Sequence, residues 1–125
     1  MALEKFTVLI CDDSLLIRKK LKEALEELNF QAIYEAQNGI SAVEQVEKYK
    51  PNLVFLDIVM PEKDGIETLK EIKEISPETK VIMASSVGTS SKLKEALQLG
   101  AYDFIQKPIQ FETLTNIVEK ALKEG

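Results

Sequence analysis

Leu53-Val54-Phe55-Leu56-Asp57 is an apolar run stopped by a carboxylate, and three other runs in the chain stop at residues suited to phosphate and a divalent metal. Val8-Leu9-Ile10-Cys11 ends at Asp12-Asp13, Val81-Ile82-Met83-Ala84 ends at Ser85-Ser86, and the run from Tyr102 to Gln106 ends at Lys107-Pro108. Short apolar runs bounded by polar residues read as buried strands, being too short for helices. If the four are parallel strands of one sheet, their carboxyl ends converge. Open α/β sheets bind ligands in the crevice beyond those ends, so three carboxylates, a hydroxyl and an ammonium would share one pocket.

Outward from these runs the period changes. Residues 14 to 28 place Ile17, Leu21, Ala24, Leu25 and Leu28 at three- and four-residue spacing with Lys and Glu opposite, an amphipathic helix that Asp13 or Ser14 can cap. The alternation repeats with a strand near 31 to 36, a helix near 39 to 48 after Asn38-Gly39, and a strand from 52 to 57 after Pro51. A loop from 58 to 64 holds Met60-Pro61 and leads to Gly65 and a helix over about 66 to 75, which Ser76-Pro77 ends. A strand over 80 to 85 and a helix over roughly 90 to 99 follow, the helix stopping at Gly100. A last strand, 102 to 107, is closed by Pro108, and Phe111 to Lys123 form the final amphipathic helix. Five strand-helix pairs imply an α/β protein with a doubly wound parallel sheet covered on both faces. No linker, low-complexity stretch or second domain is visible, so residues 1 to 125 read as one domain.

Composition narrows the function. A chain of 125 residues that is 45% hydrophobic can build one substantial core. With 16 basic and 21 acidic residues its net charge is -5, which supplies no general attraction for nucleic acid or anionic lipid. Cys11 is the sole cysteine, so no internal disulfide forms, and at a half-buried strand position it would be an inert small hydrophobe. Glu4 and Lys5 precede a short apolar run cut by Asp12-Asp13, so neither a signal peptide nor a membrane span is read there. The expectation is a soluble protein of a reducing cytoplasm. The chain has no histidine, which excludes Ser-His-Asp and Cys-His nucleophilic centres and histidine-ligated zinc. Any phosphohistidine chemistry therefore needs a second protein.

Each candidate residue has an ordinary reading beside the chemical one. Asp12 or Asp13 could cap the first helix, but two adjacent acids exceed what capping needs, and beside a third carboxylate they repel unless a cation or proton intervenes. A few hard oxygen ligands suit Mg²⁺, whose sites are completed by water and phosphate. Asp57 can be a surface acid at a strand end, or a carboxylate nucleophile that accepts a phosphoryl group, with a metal lowering the repulsion between the two. Ser85 can open a loop or donate to a phosphoryl oxygen. Lys107 can be a solvated lysine or a compact charge that neutralises the transferring group. Only the four positions together are specific.

The set Asp12-Asp13, Asp57 with Met60-Pro61 and Gly65, Ser85, and Lys107-Pro108 resembles the receiver domain of bacterial two-component response regulators, most of all the stand-alone chemotaxis kind. The resemblance runs from about Lys5 to Lys123. It implies the flavodoxin-like strand order 2-1-3-4-5, for which flavodoxin and the chemotaxis regulator are the standing examples. It further implies that Asp57 accepts phosphate from a phosphohistidine on a sensor histidine kinase or histidine phosphotransfer protein. Asp13, Asp57 and the carbonyl of Val59 would hold Mg²⁺, Asp12 assisting through water, while Ser85 and Lys107 contact the phosphoryl oxygens. A cis Lys107-Pro108 peptide belongs to the same pattern. Phe104 matches the family's switch aromatic, with a half-buried strand residue as the alternative. Phosphate on Asp57 would give Ser85 a new partner and draw in the loop from 85 to 90. Phe104 would turn into the vacated space and reshape the surface of the fourth helix, fifth strand and fifth helix, where an output protein reads the state. The chain would then be a signalling phosphoacceptor, assisting only its own phosphotransfer and dephosphorylation, rather than an enzyme.

Three departures and three rivals remain. Val59 and Val87 are apolar where many receivers carry polar groups, and Ser85 replaces the commoner threonine. A phospho-independent interaction module could keep the fold and signal by binding alone. A phosphatase of the haloacid dehalogenase type needs an acid two residues after its nucleophilic aspartate, where this chain has Val59. A flavodoxin needs a phosphate loop after the first strand, and Asp12-Asp13 would repel that phosphate.

Overall fold

Five parallel strands form one sheet in the order β2-β1-β3-β4-β5 in the computed structural model, which describes residues 3–86 and 90–123. The strands are β1 (Thr7–Cys11), β2 (Ala32–Ala36), β3 (Leu53–Asp57), β4 (Lys80–Ser85) and β5 (Asp103–Gln106). The helices α1 (Leu15–Glu26), α2 (Gly39–Tyr49), α3 (Gly65–Ile75), α4 (Ser90–Gln98) and α5 (Phe111–Lys123) connect and close them. This is the α/β, doubly wound architecture and the strand order expected of the chain.

Each strand alternates sides, and both sides are covered. Leu9 and Cys11 of β1, with Val54 and Leu56 of β3, pack into one core together with Val46 of α2, Leu69 and Ile72 of α3 and Ala96 of α4. Val8, Ile10, Leu53 and Phe55 point the other way, into a second core with Leu21 and Leu25 of α1 and Leu114, Val118 and Ala121 of α5. A parallel sheet buried on both faces needs apolar residues at every position, which is why its strands read as unbroken runs.

Element ends follow local chemistry. Ser14 Oγ accepts from the Ile17 amide at 3.3 Å, Asn38 Oδ1 from Ser41 at 2.8 Å and Asp64 Oδ1 from Glu67 at 3.0 Å, capping α1, α2 and α3. β1 begins at Thr7, one residue before the apolar run, just after the Phe6 amide turns back to the Leu3 carbonyl at 3.0 Å. The apolar period continues to Leu28, yet α1 stops at Glu26, since Asn29 takes a left-handed φ of 62° that ends the helix. Gly100, at φ 110°, turns the chain out of α4. Cys11 is fully rather than half buried, at 1% exposure. Among the described residues no helix is long and apolar enough to cross a membrane.

Candidate functional site

The carboxyl ends of β1 and β3 are neighbours in the sheet, Cys11 pairing with Leu56, so Asp12 and Asp57 leave their strands side by side. Carboxylate oxygens of Asp12, Asp13 and Asp57 lie within 4.8 Å of one another. Asp57 is 7% exposed and Asp12 3%, whereas Asp13 faces solvent. Lys107, the residue after β5, reaches across β4 and β3. Its Nζ donates to Asp12 Oδ2 at 2.8 Å and lies 3.3 Å from Asp57 Oδ1. The Lys107–Pro108 peptide is cis.

The loop after β3 closes tightly on itself. The Gly65 amide donates to the Ile58 carbonyl at 2.9 Å, and the Ile58 amide to the Ala84 carbonyl at 3.2 Å. A Cβ on Gly65 would sit 2.4 Å from the Asp57 carbonyl oxygen and 2.7 Å from Ile58 Cα, both backbone atoms. Only glycine allows α3 to start so close under Asp57. The Val59 amide donates to Asp57 Oδ1 at 3.3 Å, and its side chain is 53% exposed.

Three acids face one ammonium, and the charges show it. Burial first, then the Asp12 charge, push the Asp57 carboxyl above the ordinary aspartate range, against a smaller downward pull from Lys107. Burial alone would lower Lys107, but its hydrogen bond to Asp12 and the charges of Asp57 and Asp12 outweigh that and leave it raised and cationic. Cys11, one residue before Asp12, feels the same field: burial, then Asp12 and Asp57, push its thiol up to about 12. It stays neutral against Met60 Sδ, 3.5 Å away, and is no nucleophile. Clustered hard oxygen donors with excess negative charge and no imidazole fit Mg²⁺.

The fold thus gathers Asp12, Asp13, Asp57 and Lys107. Ser85 ends β4 one residue beyond Ala84, which pairs with Asp57, and is 3% exposed. Its Oγ donates to the Ile105 carbonyl at 3.5 Å, and its own carbonyl accepts from the Lys107 amide at 2.7 Å. Phe104 on β5 points outward, at 41% exposure. Val87, and with it the middle of the loop from 85 to 90, lies outside the described residues.

Arg18 and Glu35 escape a reading of the sequence. Arg18 Nη1 donates to the Asp12 carbonyl at 2.7 Å and its Nε to Glu35 Oε1 at 3.3 Å. The available signal was rarity: Arg18 is the only arginine among 16 basic residues.

Comparison with known proteins agrees with this geometry. A sequence profile of the response regulator receiver domain matches residues 8–119. The chain is 43% identical to the chemotaxis protein CheY of Bacillus subtilis (strain 168) over 115 residues, covering 92% of this chain and 96% of that protein. It is 44% identical to the chemotaxis protein CheY of Halobacterium salinarum over 115 residues, 92% and 95% of the two chains. Among solved structures, the receiver domain of NtrX from Brucella abortus superposes with a TM-score of 0.89 at 34% identity, over 94% of this chain and 99% of that one.

Proposed function

The chain belongs to the response regulator receiver domain family, a signalling family whose general function is phosphorylation switching, and on that premise we propose that Asp57 is its Mg²⁺-dependent phosphoacceptor. The observation that carries this is the carboxylate triad within 4.8 Å, with Lys107 3.3 Å from Asp57. A sensor histidine kinase or histidine phosphotransfer protein supplies the phosphoryl group, since this chain has no histidine of its own. A carboxylate oxygen of Asp57 attacks the phosphorus of phosphohistidine. The P–O bond forms, the P–N bond breaks, and its electron pair stays on the imidazole nitrogen, which takes a proton from solvent. Among the described residues the hydrogen bonds to Asp57 fall on Oδ1, so Oδ2 is the oxygen we assign to phosphorus. Lys107 neutralises the arriving charge from its position between Asp12 and Asp57. Asp13, Asp57 and the Val59 carbonyl would hold Mg²⁺, with Asp12 assisting through water, and the ion would supply charge neutralisation at the phosphoryl oxygens.

The test is intact-mass measurement after incubation with a small acyl phosphate, with Mg²⁺ and with a chelator. One added phosphoryl group, located to the peptide bearing Asp57 and absent with chelator, is the expected result. No uptake in Mg²⁺ would favour the phospho-independent interaction module.

Switching follows from the weak hold on Ser85. Its 3.5 Å bond to the Ile105 carbonyl is at the edge of hydrogen-bond range, so a phosphoryl oxygen is a better partner. Drawing Ser85 toward Asp57 shifts the segment leading to α4. Phe104 then turns inward and remodels the α4, β5 and α5 surface that an output protein reads. Ser85→Ala is expected to accept phosphate but lose the phosphate-dependent gain in partner affinity. A variant that keeps that gain in a binding titration would remove Ser85 from the switch.

Val59 gives a further expectation. An exposed apolar side chain beside Asp57 cannot hold an attacking water by hydrogen bonding. The phosphoaspartate should therefore persist, followed by mass after donor removal. A half-life of only seconds without a phosphatase would contradict this.

A further inference from the structure

We propose that Arg18 is a positioning residue of the metal site, setting the orientation of Asp13 through the backbone of Asp12; the inference rests on the phosphoacceptor reading above. The guanidinium, on a side chain 11% exposed, bridges the Asp12 carbonyl at 2.7 Å and Glu35 Oε1 at 3.3 Å. Glu35 lies on β2, one register step before Ala36, which pairs with Cys11, and its other oxygen is 3.4 Å from Lys22 Nζ. The bridge therefore ties the loop leaving β1 to the neighbouring strand.

The reach to Asp13 is covalent. The Asp12 carbonyl and the Asp13 amide share one planar peptide unit, so holding the oxygen fixes the plane from which the Asp13 side chain departs. The Asp12 carboxylate is already held at both oxygens, by the Ser14 amide at 2.9 Å and Lys107 at 2.8 Å. Exposed Asp13 gains its direction from that peptide plane. A lysine presents its donors from a single nitrogen, whereas the planar fork of arginine aims Nη1 and Nε at two separate acceptors, which fits the use of a lone arginine in a lysine-rich chain. Glu35 has a second part: it cancels a positive charge that would otherwise oppose a divalent cation nearby.

Mg²⁺ affinity, read from the Mg²⁺-dependent rise in thermal midpoint, separates positioning from general stability. It is measured for wild type, Arg18→Met, Arg18→Lys and Glu35→Gln, alongside phosphoryl uptake from an acyl phosphate at low and saturating Mg²⁺. Outer residues that orient metal ligands commonly change affinity about 10-fold or more, so Arg18→Met should weaken Mg²⁺ binding by that factor. Arg18→Lys should recover part of it, and uptake should be restored toward wild type at saturating Mg²⁺. The inference is overturned if Arg18→Met lowers only the Mg²⁺-free midpoint, which marks a structural brace, or if it binds Mg²⁺ more tightly, which marks simple charge repulsion. Should Arg18→Met fail to fold, Arg18→Lys decides, because it keeps the positive charge and loses the fork: it must still bind Mg²⁺ more weakly than wild type, and unchanged affinity overturns the inference. A wild type that shows neither Mg²⁺ stabilisation nor uptake would instead fail the phosphoacceptor reading, and this inference with it.

Discussion

Asp57→Asn is expected to take up no phosphoryl group and, with Mg²⁺ chelated, to melt at a higher temperature than wild type. The first half follows from removing the nucleophilic oxygen while keeping the shape of the side chain. The second follows from crowding: Asp57 is buried beside Asp12, and its carboxyl is held above the ordinary range by burial and by that neighbour. Two like charges a few ångströms apart in a partly solvated site cost roughly 1 kcal/mol or more. An acid raised on folding binds its proton more tightly in the folded state. Wild-type stability therefore falls as pH rises from the unfolded carboxylate value through the folded one. The advantage of asparagine should be full at neutral pH and fade in acid, and thermal melts in chelator across that range check it. A variant that melts below wild type at neutral pH would refute the crowding, and one that still gains phosphate would move the acceptor elsewhere.

Gly65→Ala should cost more than an ordinary surface change, roughly 2–4 kcal/mol, with a thermal midpoint lower by about 10 °C. The new Cβ would meet the Asp57 carbonyl oxygen at 2.4 Å and Ile58 Cα at 2.7 Å, and neither can rotate away as a side chain would. Alanine's better helix propensity offsets at most about 1 kcal/mol. Relief requires moving the loop that carries Asp57 and Val59, so the rate of phosphoryl uptake should fall with stability. Equal melting of the two proteins in a calorimeter would show that the loop yields freely.

Much of this was legible in the chain because covering both faces of a parallel sheet leaves its strands as continuous apolar runs. The acids and the lysine stood out by following those runs directly, at Asp12, Asp57 and Lys107. Element ends were less legible. Leu28 keeps the helical period, but the left-handed turn at Asn29 decides where α1 stops. Arg18 was hidden for a different reason: on a lysine-rich helix face it looks solvated, and only the tertiary fold shows it turning back to Asp12 and Glu35. Ser85 itself was legible at the end of its run, but its hydrogen-bond partner, the Ile105 carbonyl, was not, being on another strand.

The sheet also partitions the molecule into two interiors that meet only through its backbone. Volume changes behind α1 and α5 need no compensating repair behind α2, α3 and α4, since side chains on opposite sides share no neighbours and their effects should add. Such a partition lets one flank be altered at a time while the rim that carries Asp12, Asp57 and Lys107 stays in place.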